Sequence, residues 1–518
     1  MSAPPAFQFD NSYARELQGF YVPWRPATAP QPRLLFLNRP LASELGIDEA
    51  MLDPEAAAAI FAGNTVPEGA EPIAQAYAGH QFGGFSPQLG DGRAVLLGEV
   101  VDRAGQRRDI AFKGSGRTPF SRGGDGKAAV GPMLRELLIG EFMHAVGIPT
   151  TRALAVVATG EPVVRESVLP GAVLTRVAAS HIRVGTFEFF AARGETERVR
   201  QLAEYTIARH DPDLAGSPRR FLALLENVAE RQAALIAQWM NVGFIHGVMN
   251  TDNMTLSGET IDYGPCAFLE AYDPATVFSS IDRRGRYAYG NQPPIANWNL
   301  ARLAETLLPL IDEDQDAAAA EATQVLESFP GRFQAHWLRG QRAKMGLDTP
   351  GGAVGLAGDV SGGGSDAAAR DTALAEDWLS LLQAARVDFT LAWRRLADAA
   401  DGDEKPLRAL FADPQALEAW LPRWRDRCHA DDAHAGIDAL RAGNARAERM
   451  RRVSPLVIPR NHRVEEALSA ASDHGDLGPF ERLLDALRRP YDDVDANAPY
   501  AEPASATVTA SYRTFCGT

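Results

Sequence analysis

The spacing of apolar residues changes along the chain, and this change constrains the fold more than any other feature. Residues 72–131 contain short apolar runs separated by glycines, and AVLLGEVV (94–101) and DIAFK (109–113) are typical of two β-strands joined by a turn. From about residue 195 onward, apolar residues recur every three or four positions, as in 218–244, which is typical of amphipathic helices. Strands that precede a long series of helices indicate an α+β protein.

Other segments carry clear helix signals. A helix is predicted from Pro132 to a stop at Gly147, with apolar positions on one face. Further helices are expected at 297–312, 316–346, 372–400, 414–427 and 463–488. Near 348–371 the chain has too few large apolar residues to offset its ordering entropy, so we predict a mobile surface insert.

The overall charge excludes some classes of protein. A formal net charge of −15 and a pI near 5.2 argue against a surface that binds nucleic acid or an anionic membrane. The first residues, MSAPPAFQFDNSYARELQGFYV, lack the basic and apolar segments of a signal peptide. The three cysteines are too few and too far apart for a disulfide framework. We therefore expect a cytoplasmic protein.

One stretch of this acidic chain is basic. Residues 103–127 contain seven basic residues and two acidic ones, and five glycines lie between 114 and 126. Glycines let backbone N–H groups approach phosphate oxygens closely, so the stretch is a candidate site for a polyanion. A solvated hairpin with a flexible loop explains the same pattern, and GDGR at 90–93 is also compatible with an ordinary turn.

Lysine is rare in this chain, and one lysine occupies an informative position. Only four of the 52 basic residues are lysines, and Lys113 ends the predicted strand DIAFK. That strand resembles the kinase strand Val-Ala-Ile-Lys, whose lysine holds ATP phosphates and pairs with a glutamate of the next helix. Glu136 lies in the helix predicted here, although helix glutamates are usually solvated.

The segment HGVMNTDNMTLSGETIDYGP (246–265) resembles the catalytic loop of protein kinases together with the Asp-Phe-Gly motif that follows it. Asn253 and Asp262 supply the amide and carboxylate oxygens that a nucleotide-bound magnesium ion requires. The alignment places Val248 where kinases have their catalytic base, so that base is absent. A polar turn with capping side chains is the structural alternative.

Several long motifs together resemble the selenoprotein O family, also called SelO or YdiU. They are DIAFKGSGRTPFSRGGDGKA, HGVMNTDNM, IDYGPCAFLE, IPRNHRVEEAL and the terminal FCGT. The likeness runs from about residue 70 to 300 and returns from 453 to the end. It implies a protein-kinase-like, two-lobed fold, with a small glycine-rich β lobe and a large helical lobe. We assign residues 1–185 to the first lobe with an N-terminal extension, and residues 186–518 to the second.

The resemblance also implies an activity: AMP transfer from ATP to Ser, Thr or Tyr hydroxyls of protein substrates, with release of pyrophosphate. In this family the nucleotide is turned around relative to kinases, which accounts for the missing kinase base. Asp252 would then be the proton acceptor, and Asn253 and Asp262 would hold Mg²⁺, or alternatively Mn²⁺. Lys113, paired with Glu136, would contact phosphate. The other family positions for nucleotide contacts are Gly90, Gly92, Arg93, Asp125, Gly126, Arg176, Arg183 and Asp262.

Two other classes of function remain open at this point. One is a kinase that transfers the γ-phosphate, and the other is a catalytically silent ATP-binding scaffold. The sequence gives no prediction of oligomeric state, and no nucleic-acid or membrane partner is expected. Cys516 lies where eukaryotic family members carry selenocysteine, and we predict a C-terminal redox tail in which Cys516 forms a reversible bridge to Cys266. A buried and inert Cys266 is the alternative.

Overall fold

The strands of the β-sheet come from the first part of the chain. The computed structural model of the protein describes residues 7–47, 53–347, 365–435 and 439–515. The strands are β1 (Tyr21–Pro23), β2 (Arg33–Leu37), β3 (Ile73–Gln75), β4 (Gly79–Gln81), β5 (Gly84–Ser86), β6 (Ala94–Val101), β7 (Arg107–Lys113), β8 (Ala128–Ala129), β9 (Arg152–Val164), β10 (Val168–Ala178), β11 (Phe244–Ile245) and β12 (Ala267–Phe268). The main sheet is antiparallel, with strand order β1-β3-β6-β7-β10-β9-β2, and β8 pairs with β10.

Helices make up most of the chain after the sheet. The helices are α1 (Ser12–Glu16), α2 (Arg39–Glu44), α3 (Pro54–Phe61), α4 (Val130–Ala145), α5 (Val184–Ala191), α6 (Thr196–His210), α7 (Arg220–Val242), α8 (Gln292–Ile311), α9 (Gln315–Met345), α10 (Ser365–Ala385), α11 (Phe389–Ala400), α12 (Lys405–Arg408), α13 (Leu421–Ala435), α14 (Ala439–Val453), α15 (Asn461–His474), α16 (Gly478–Arg488), α17 (Ala498–Ala501) and α18 (Ala506–Ser511). In the described part of the chain, no helix is long and apolar enough to cross a membrane. The mixed α and β composition expected from the sequence is confirmed.

The two strands predicted from the sequence are confirmed as β6 and β7, which pair with each other. The structure adds the long hairpin of β9 and β10 to these two strands. This hairpin completes the sheet, because β10 lies between β7 and β9. Lys113 on β7 pairs with Leu174 on β10, and Ala111 pairs with Arg176. Lys113 and Arg176 therefore lie on the same face of the sheet, as diagonal neighbours.

The helix predicted after Pro132 is confirmed as α4. Its predicted apolar positions Leu134, Leu137, Leu138 and Phe142 are all buried in the main hydrophobic core. Glu136 is buried on the same helix, so it is not the solvated residue that helix glutamates usually are. The sheet and α4 thus bring a buried lysine and a buried glutamate within reach of each other.

Some predicted helices are broken in two. The segment 372–400 forms α10 and α11, because the chain turns at Arg386, whose φ is 53°. The segment 463–488 forms α15 and α16, because Gly475, with a φ of 67°, ends the first helix in the left-handed conformation. The helix predicted at 414–427 begins later, as α13, after a short 3₁₀ turn.

The predicted insert near 348–371 overlaps a helix. Residues 348–364 lie outside the described part of the chain. Residues 365–371 form the first turns of α10, where the run SDAAAR places an acidic residue and strong helix formers at a helix start. The prediction of a mobile insert is therefore wrong for residues 365–371.

The long helix α7 leads the chain into the segment with the kinase-like motif. Gly243, with a φ of 80°, ends α7, and a Cβ built at this glycine would lie 2.8 Å from Phe389 Cδ1. The short strands β11 and β12 then pair on either side of the segment and fix its two ends.

A buried arginine links this region to two later helices. Arg460, which is fully buried, donates to Glu270 Oε2 at 2.7 Å and to Asp388 Oδ2 at 2.6 Å. Asp388 also caps α11 by accepting a hydrogen bond from Leu391 N at 2.8 Å. This cluster joins the residues after β12 to the starts of α11 and α15.

We predict that Arg460→Met lowers the free energy of unfolding by about 3–5 kcal/mol, because it leaves the buried Glu270 and the partly buried Asp388 without their cation. Arg463→Met is the matched control in α15, the helix that Arg460 immediately precedes, since Arg463 is partly exposed and pairs with the exposed Glu466. The free energy of unfolding of this control should fall by less than about 1 kcal/mol. Denaturant unfolding measures both values, and equal losses in the two variants would contradict this account of Arg460.

Candidate active site

A large cleft collects the residues singled out in the sequence. Its volume is about 1420 Å³, and glycine-rich loops of the sheet, α4, the segment after α7, α15 and residues 508–515 contribute to its lining. All of the predicted nucleotide, metal and proton-acceptor residues line it, namely Gly90, Gly92, Arg93, Lys113, Asp125, Gly126, Glu136, Arg176, Arg183, Asp252, Asn253 and Asp262. Residues separated by up to 172 positions thus meet in one site.

The centre of the cleft is a buried ion-pair cluster. Lys113 Nζ lies 2.5 Å from Glu136 Oε2 and also donates to Asp262 Oδ1. Arg176 donates to the same Asp262 oxygen at 2.9 Å and approaches Glu136 Oε1 at 3.4 Å. Two cations therefore share two carboxylates, and the cluster joins β7, α4, β10 and the segment after α7.

The backbone and the charge of Asp262 are both unusual. Its φ of 64° is in the left-handed region, which few residues other than glycine, asparagine and aspartate adopt. Burial would raise the pKa of this carboxyl, but the charges of Lys113, Arg176, Arg183 and Arg93 outweigh burial and hold the pKa well below its usual range. Asp262 is therefore a permanent anion at neutral pH.

Asp252 has the opposite electrostatic environment. Burial raises the pKa of Asp252 to about 6, and the nearby charge of Arg183 opposes this rise only in part. Its Oδ1 atom is buried and has no hydrogen-bond partner in the described part of the chain. Close contacts confine this carboxylate, because a Cβ built on Gly79 would lie 2.6 Å from Oδ1. A carboxylate that titrates near neutral pH can act as a general base.

The turn that carries Asp252 is held from both sides. Asn253 Nδ2 donates to Val248 O at 3.1 Å, so the amide oxygen of Asn253 is turned away from that contact. His246 Nε2 donates to Ile261 O at 2.9 Å, and its Nδ1 accepts from Val248 N at 3.4 Å. Burial lowers the pKa of His246, which keeps the ring neutral in this role.

A second histidine orients one of the site arginines, and sequence reasoning missed it. His181 Nδ1 donates to Asp109 Oδ2 at 2.9 Å, and its Nε2 accepts from Arg176 Nε at 3.2 Å. Burial lowers the pKa of His181 to about 4, so the ring is neutral and able to accept this hydrogen bond. Only the spacing of His181 between Arg176 and Arg183 could have suggested its role.

Arg183 immediately precedes α5 and is almost completely buried. Its guanidinium lies 4.3 Å from the centre of the Tyr77 ring, and Nε donates to His181 O at 3.2 Å. Its second terminal nitrogen is buried and has no hydrogen-bond partner in the described residues. This unsatisfied donor is available to an anion in the cleft.

The glycines of the cleft allow close backbone contacts. Gly90 has a φ of 69°, and a Cβ there would lie 2.3 Å from Phe120 Cγ. Gly126 has a φ of 68°, and a Cβ there would lie 2.1 Å from Gly116 O. No other residue type fits at these two positions, which keep the two loops narrow beside the cations.

Two acidic residues of these loops differ in their surroundings. Arg165 forms hydrogen bonds of 2.8 and 3.0 Å to Asp125, which lowers the pKa of this carboxyl. Asp91, which the sequence reasoning did not select although it lies in GDGR, is buried and lines the cleft. Burial raises the pKa of Asp91 to about 6, and its Oδ2 accepts from Gln75 N at 2.9 Å.

The cleft fits a hard cation that takes only a few oxygen ligands from the protein. Lys113 and Arg176 both contact Oδ1 of Asp262, which leaves Oδ2 for another partner, and the amide oxygen of Asn253 is also available. Within the described ranges, no group of three or more His, Cys, Asp and Glu side chains is placed to hold a metal ion. A Mg²⁺ ion would therefore take its remaining oxygen ligands from phosphates and water.

Of the two cysteines predicted to form a bridge, only Cys266 belongs to the described residues. Cys266 is fully buried, its thiol donates to Tyr263 O at 3.2 Å, and burial raises the pKa of this thiol to about 11. Cys266 does not line the cleft. Thr514 Oγ1 donates to Pro265 O at 2.7 Å, so the chain near its C-terminus lies beside the residue before Cys266.

Comparisons with a family model and with individual proteins point to the same family. A family model described as "Protein adenylyltransferase SelO" matches residues 5–488. The chain is 62% identical over 513 residues to a protein nucleotidyltransferase YdiU of Cereibacter sphaeroides, a match that covers 99% of this chain and 100% of the relative. It is 62% identical to a protein of the same name from Chromobacterium violaceum (96% and 99% covered) and 58% identical to one from Rhizobium etli (99% and 98% covered).

We predict that Lys113→Arg weakens ATP binding at least tenfold, because a planar guanidinium cannot replace an ammonium ion that contacts Glu136 and Asp262 at once. Isothermal titration with ATP and Mg²⁺ measures the change in Kd. Lys405→Arg is the control, since Lys405 starts the distant helix α12. Unchanged ATP affinity in Lys113→Arg would show that the ammonium ion does not contact phosphate.

Proposed function

We propose that this chain, which belongs to the SelO family, transfers AMP from ATP to Ser, Thr or Tyr hydroxyls of proteins and releases pyrophosphate. The family model describes protein adenylyltransferases, and the relatives are named protein nucleotidyltransferases. One observation carries the proposal for this chain. A cluster of buried cations surrounds Asp262, and Asp252 stands in the same cleft as a confined carboxylate with a raised pKa.

The buried cations suit a triphosphate. Lys113, Arg176 and Arg183 line one cleft, and Arg183 carries a donor without a partner in the described residues. In a buried site such charges stabilise developing negative charge much more strongly than in water. We infer that these three residues bind the β- and γ-phosphates and stabilise pyrophosphate as it leaves. This orientation places the α-phosphate toward Asp252.

The proposed step needs one proton acceptor. The oxygen of the acceptor hydroxyl attacks the α-phosphorus, the bond from that phosphorus to the oxygen shared with the β-phosphorus breaks, and pyrophosphate leaves. Asp252 takes the hydroxyl proton, for which its raised pKa and unpaired Oδ1 are suited. Asn253 and Asp262 would hold Mg²⁺, which when bound neutralises part of the phosphate charge.

The wider features predicted from the sequence belong to the same proposal. The strands of the main sheet all lie between Tyr21 and Ala178, and the long helices α6–α11 follow, which supports a two-lobed, kinase-like arrangement divided near residue 185. The redox bridge between Cys266 and Cys516 stays a prediction, since Cys516 lies outside the described residues. The raised pKa of Cys266 means that a thiolate there needs an activating partner.

We predict that Asp252→Asn slows AMP transfer by about 10²–10⁴-fold while ATP affinity is nearly unchanged, because the variant removes a general base but no phosphate contact. Asp262→Asn should abolish transfer and weaken binding of ATP with Mg²⁺. Asparagine also tolerates the left-handed backbone of Asp262, so the loss would report the missing charge rather than strain.

Transfer is measured with ATP labelled on the α-phosphate and a protein lysate as acceptor, and ATP affinity by titration. Equal loss of ATP affinity in both variants would contradict the separate roles of the two carboxylates. Full transfer activity in Asp252→Asn would show that Asp252 is not the proton acceptor.

The pH dependence of the reaction should show the titration of Asp252. Its carboxyl must be deprotonated to accept a proton, and its pKa is about 6, so kcat/KM should fall about tenfold per pH unit below that value. The pH profile of Asp252→Asn should lack this acidic limb. A wild-type profile that stays flat down to pH 5 would contradict the assignment.

A further inference from the structure

The hairpin of β4 and β5 is fixed against the turn that carries Asp252. His80 N donates to Thr251 Oγ1 at 2.7 Å, and Phe82 N donates to Asn250 Oδ1 at 3.1 Å. The space between the hairpin and Asp252 is too small for a Cβ on Gly79. The hairpin therefore has a defined position relative to the carboxylate that would accept the proton.

The turn of this hairpin contains an unexpected residue. Phe82 and Gly83 are its central residues, with φ values of 51° and 86°. Such a turn favours asparagine, aspartate or glycine at its first central position, and a bulky aromatic residue is strained there. The Phe82 side chain is not needed in the core, because the residue is 38% exposed, and Phe85 on the same hairpin is 42% exposed. The strained residue therefore calls for a functional explanation.

A neighbouring loop adds apolar and basic side chains. The Tyr287 ring lies 5.1 Å from the Phe82 ring, which joins the loop of residues 279–287 to the hairpin. Ile281 of this loop is 48% exposed and lines the cleft, as Phe82 does. Arg283 and Arg284 are exposed. Neither forms a salt bridge with a carboxylate of the described residues. Phe82 and Ile281 line the same cleft, Phe85 lies on the hairpin of Phe82, and Arg283 and Arg284 follow Ile281 in its loop. We call these five exposed residues the acceptor patch.

We propose that the acceptor patch binds the segment of the substrate protein that flanks the acceptor hydroxyl, and that it selects apolar and acidic residues in that segment. This inference rests on the proposed AMP transfer. The proposed phosphate contacts are the buried cations Lys113, Arg176 and Arg183, whereas the patch residues are exposed and Phe82 lies on the hairpin that contacts the turn of Asp252. Exposed aromatic side chains, and two guanidinium groups that have no ion-pair partner among the described residues, complement an extended peptide that carries apolar and acidic side chains.

The acceptor preference is measurable with a positional peptide library. Each peptide has one central Tyr, Ser or Thr, and the flanking positions are randomised one at a time. With ATP labelled on the α-phosphate, the wild-type chain should label peptides with Leu or Phe and with Asp or Glu in the flanks about tenfold better than peptides with Gly or Lys there.

Phe82→Asn is the decisive variant, because asparagine suits the left-handed turn and the chain should stay folded, with a Tm within about 3 °C of the wild type. Its KM for the best peptide should rise about tenfold and its preference for apolar flanks should disappear, while its KM for ATP stays at the wild-type value. Arg283→Ala combined with Arg284→Ala should remove the preference for acidic flanks. Val164→Asn is the matched control, since Val164 is 68% exposed and does not line the cleft.

Other outcomes would overturn the inference. Uniform labelling of all flanking sequences, or the same peptide KM in Phe82→Asn and Val164→Asn, would remove the patch from acceptor binding but leave the proposed AMP transfer intact. A raised KM for ATP in Phe82→Asn would assign the patch to the nucleotide. A change of oligomeric state in that variant would assign it to a second copy of the chain. No labelling of any peptide by a wild-type chain that labels lysate proteins would refute the acceptor patch alone. No labelling of lysate proteins either would refute the proposed AMP transfer.

Discussion

The ion pairs that join Asp262 to Lys113 and Arg176 are the contacts on which the rest of the site depends. Lys113 ends β7, Arg176 lies on β10, and Glu136 on α4 contacts both cations. Asp262 belongs to the segment that follows the long helix α7. A single cluster therefore fixes the sheet, α4 and the kinase-like segment relative to one another, and it keeps buried cations in place for an anionic ligand.

Asp262 and Asp252 have the same side chain, but their surroundings give the two carboxyl groups different pKa values and different proposed roles. Neighbouring cations outweigh burial at Asp262 and hold its pKa low, whereas burial dominates at Asp252 and raises its pKa to about 6. The first carboxylate is suited to holding charge in place, and the second is suited to accepting a proton. His181 and His246 are neutral because they are buried, and each fixes a neighbouring group through both ring nitrogens.

The sequence predicted the local elements and the site residues that lie in motifs. β6, β7, α4 and α7 could be recognised because each buries a regular pattern of apolar residues. For His181 the sequence offers only its spacing between Arg176 and Arg183, since its role depends on hydrogen bonds to Asp109 and Arg176 that form in the folded chain. The breaks between α10 and α11 and between α15 and α16 depend on single left-handed residues, which do not interrupt the apolar pattern. The acceptor patch could not be predicted from the sequence either, because the strain at Phe82 follows from its backbone φ, which is known only from the structure.

The central claim is that the buried cations bind the outer phosphates, so that the α-phosphate meets the acceptor. Incubation of the chain with an acceptor protein and ATP that carries different isotopes on its α- and γ-phosphates tests this claim most directly. The account predicts that the acceptor gains only the α-label, that the γ-label appears in pyrophosphate, and that Asp262→Asn yields neither product. Transfer of the γ-label to the acceptor would show that the nucleotide binds as in a kinase and would contradict the account.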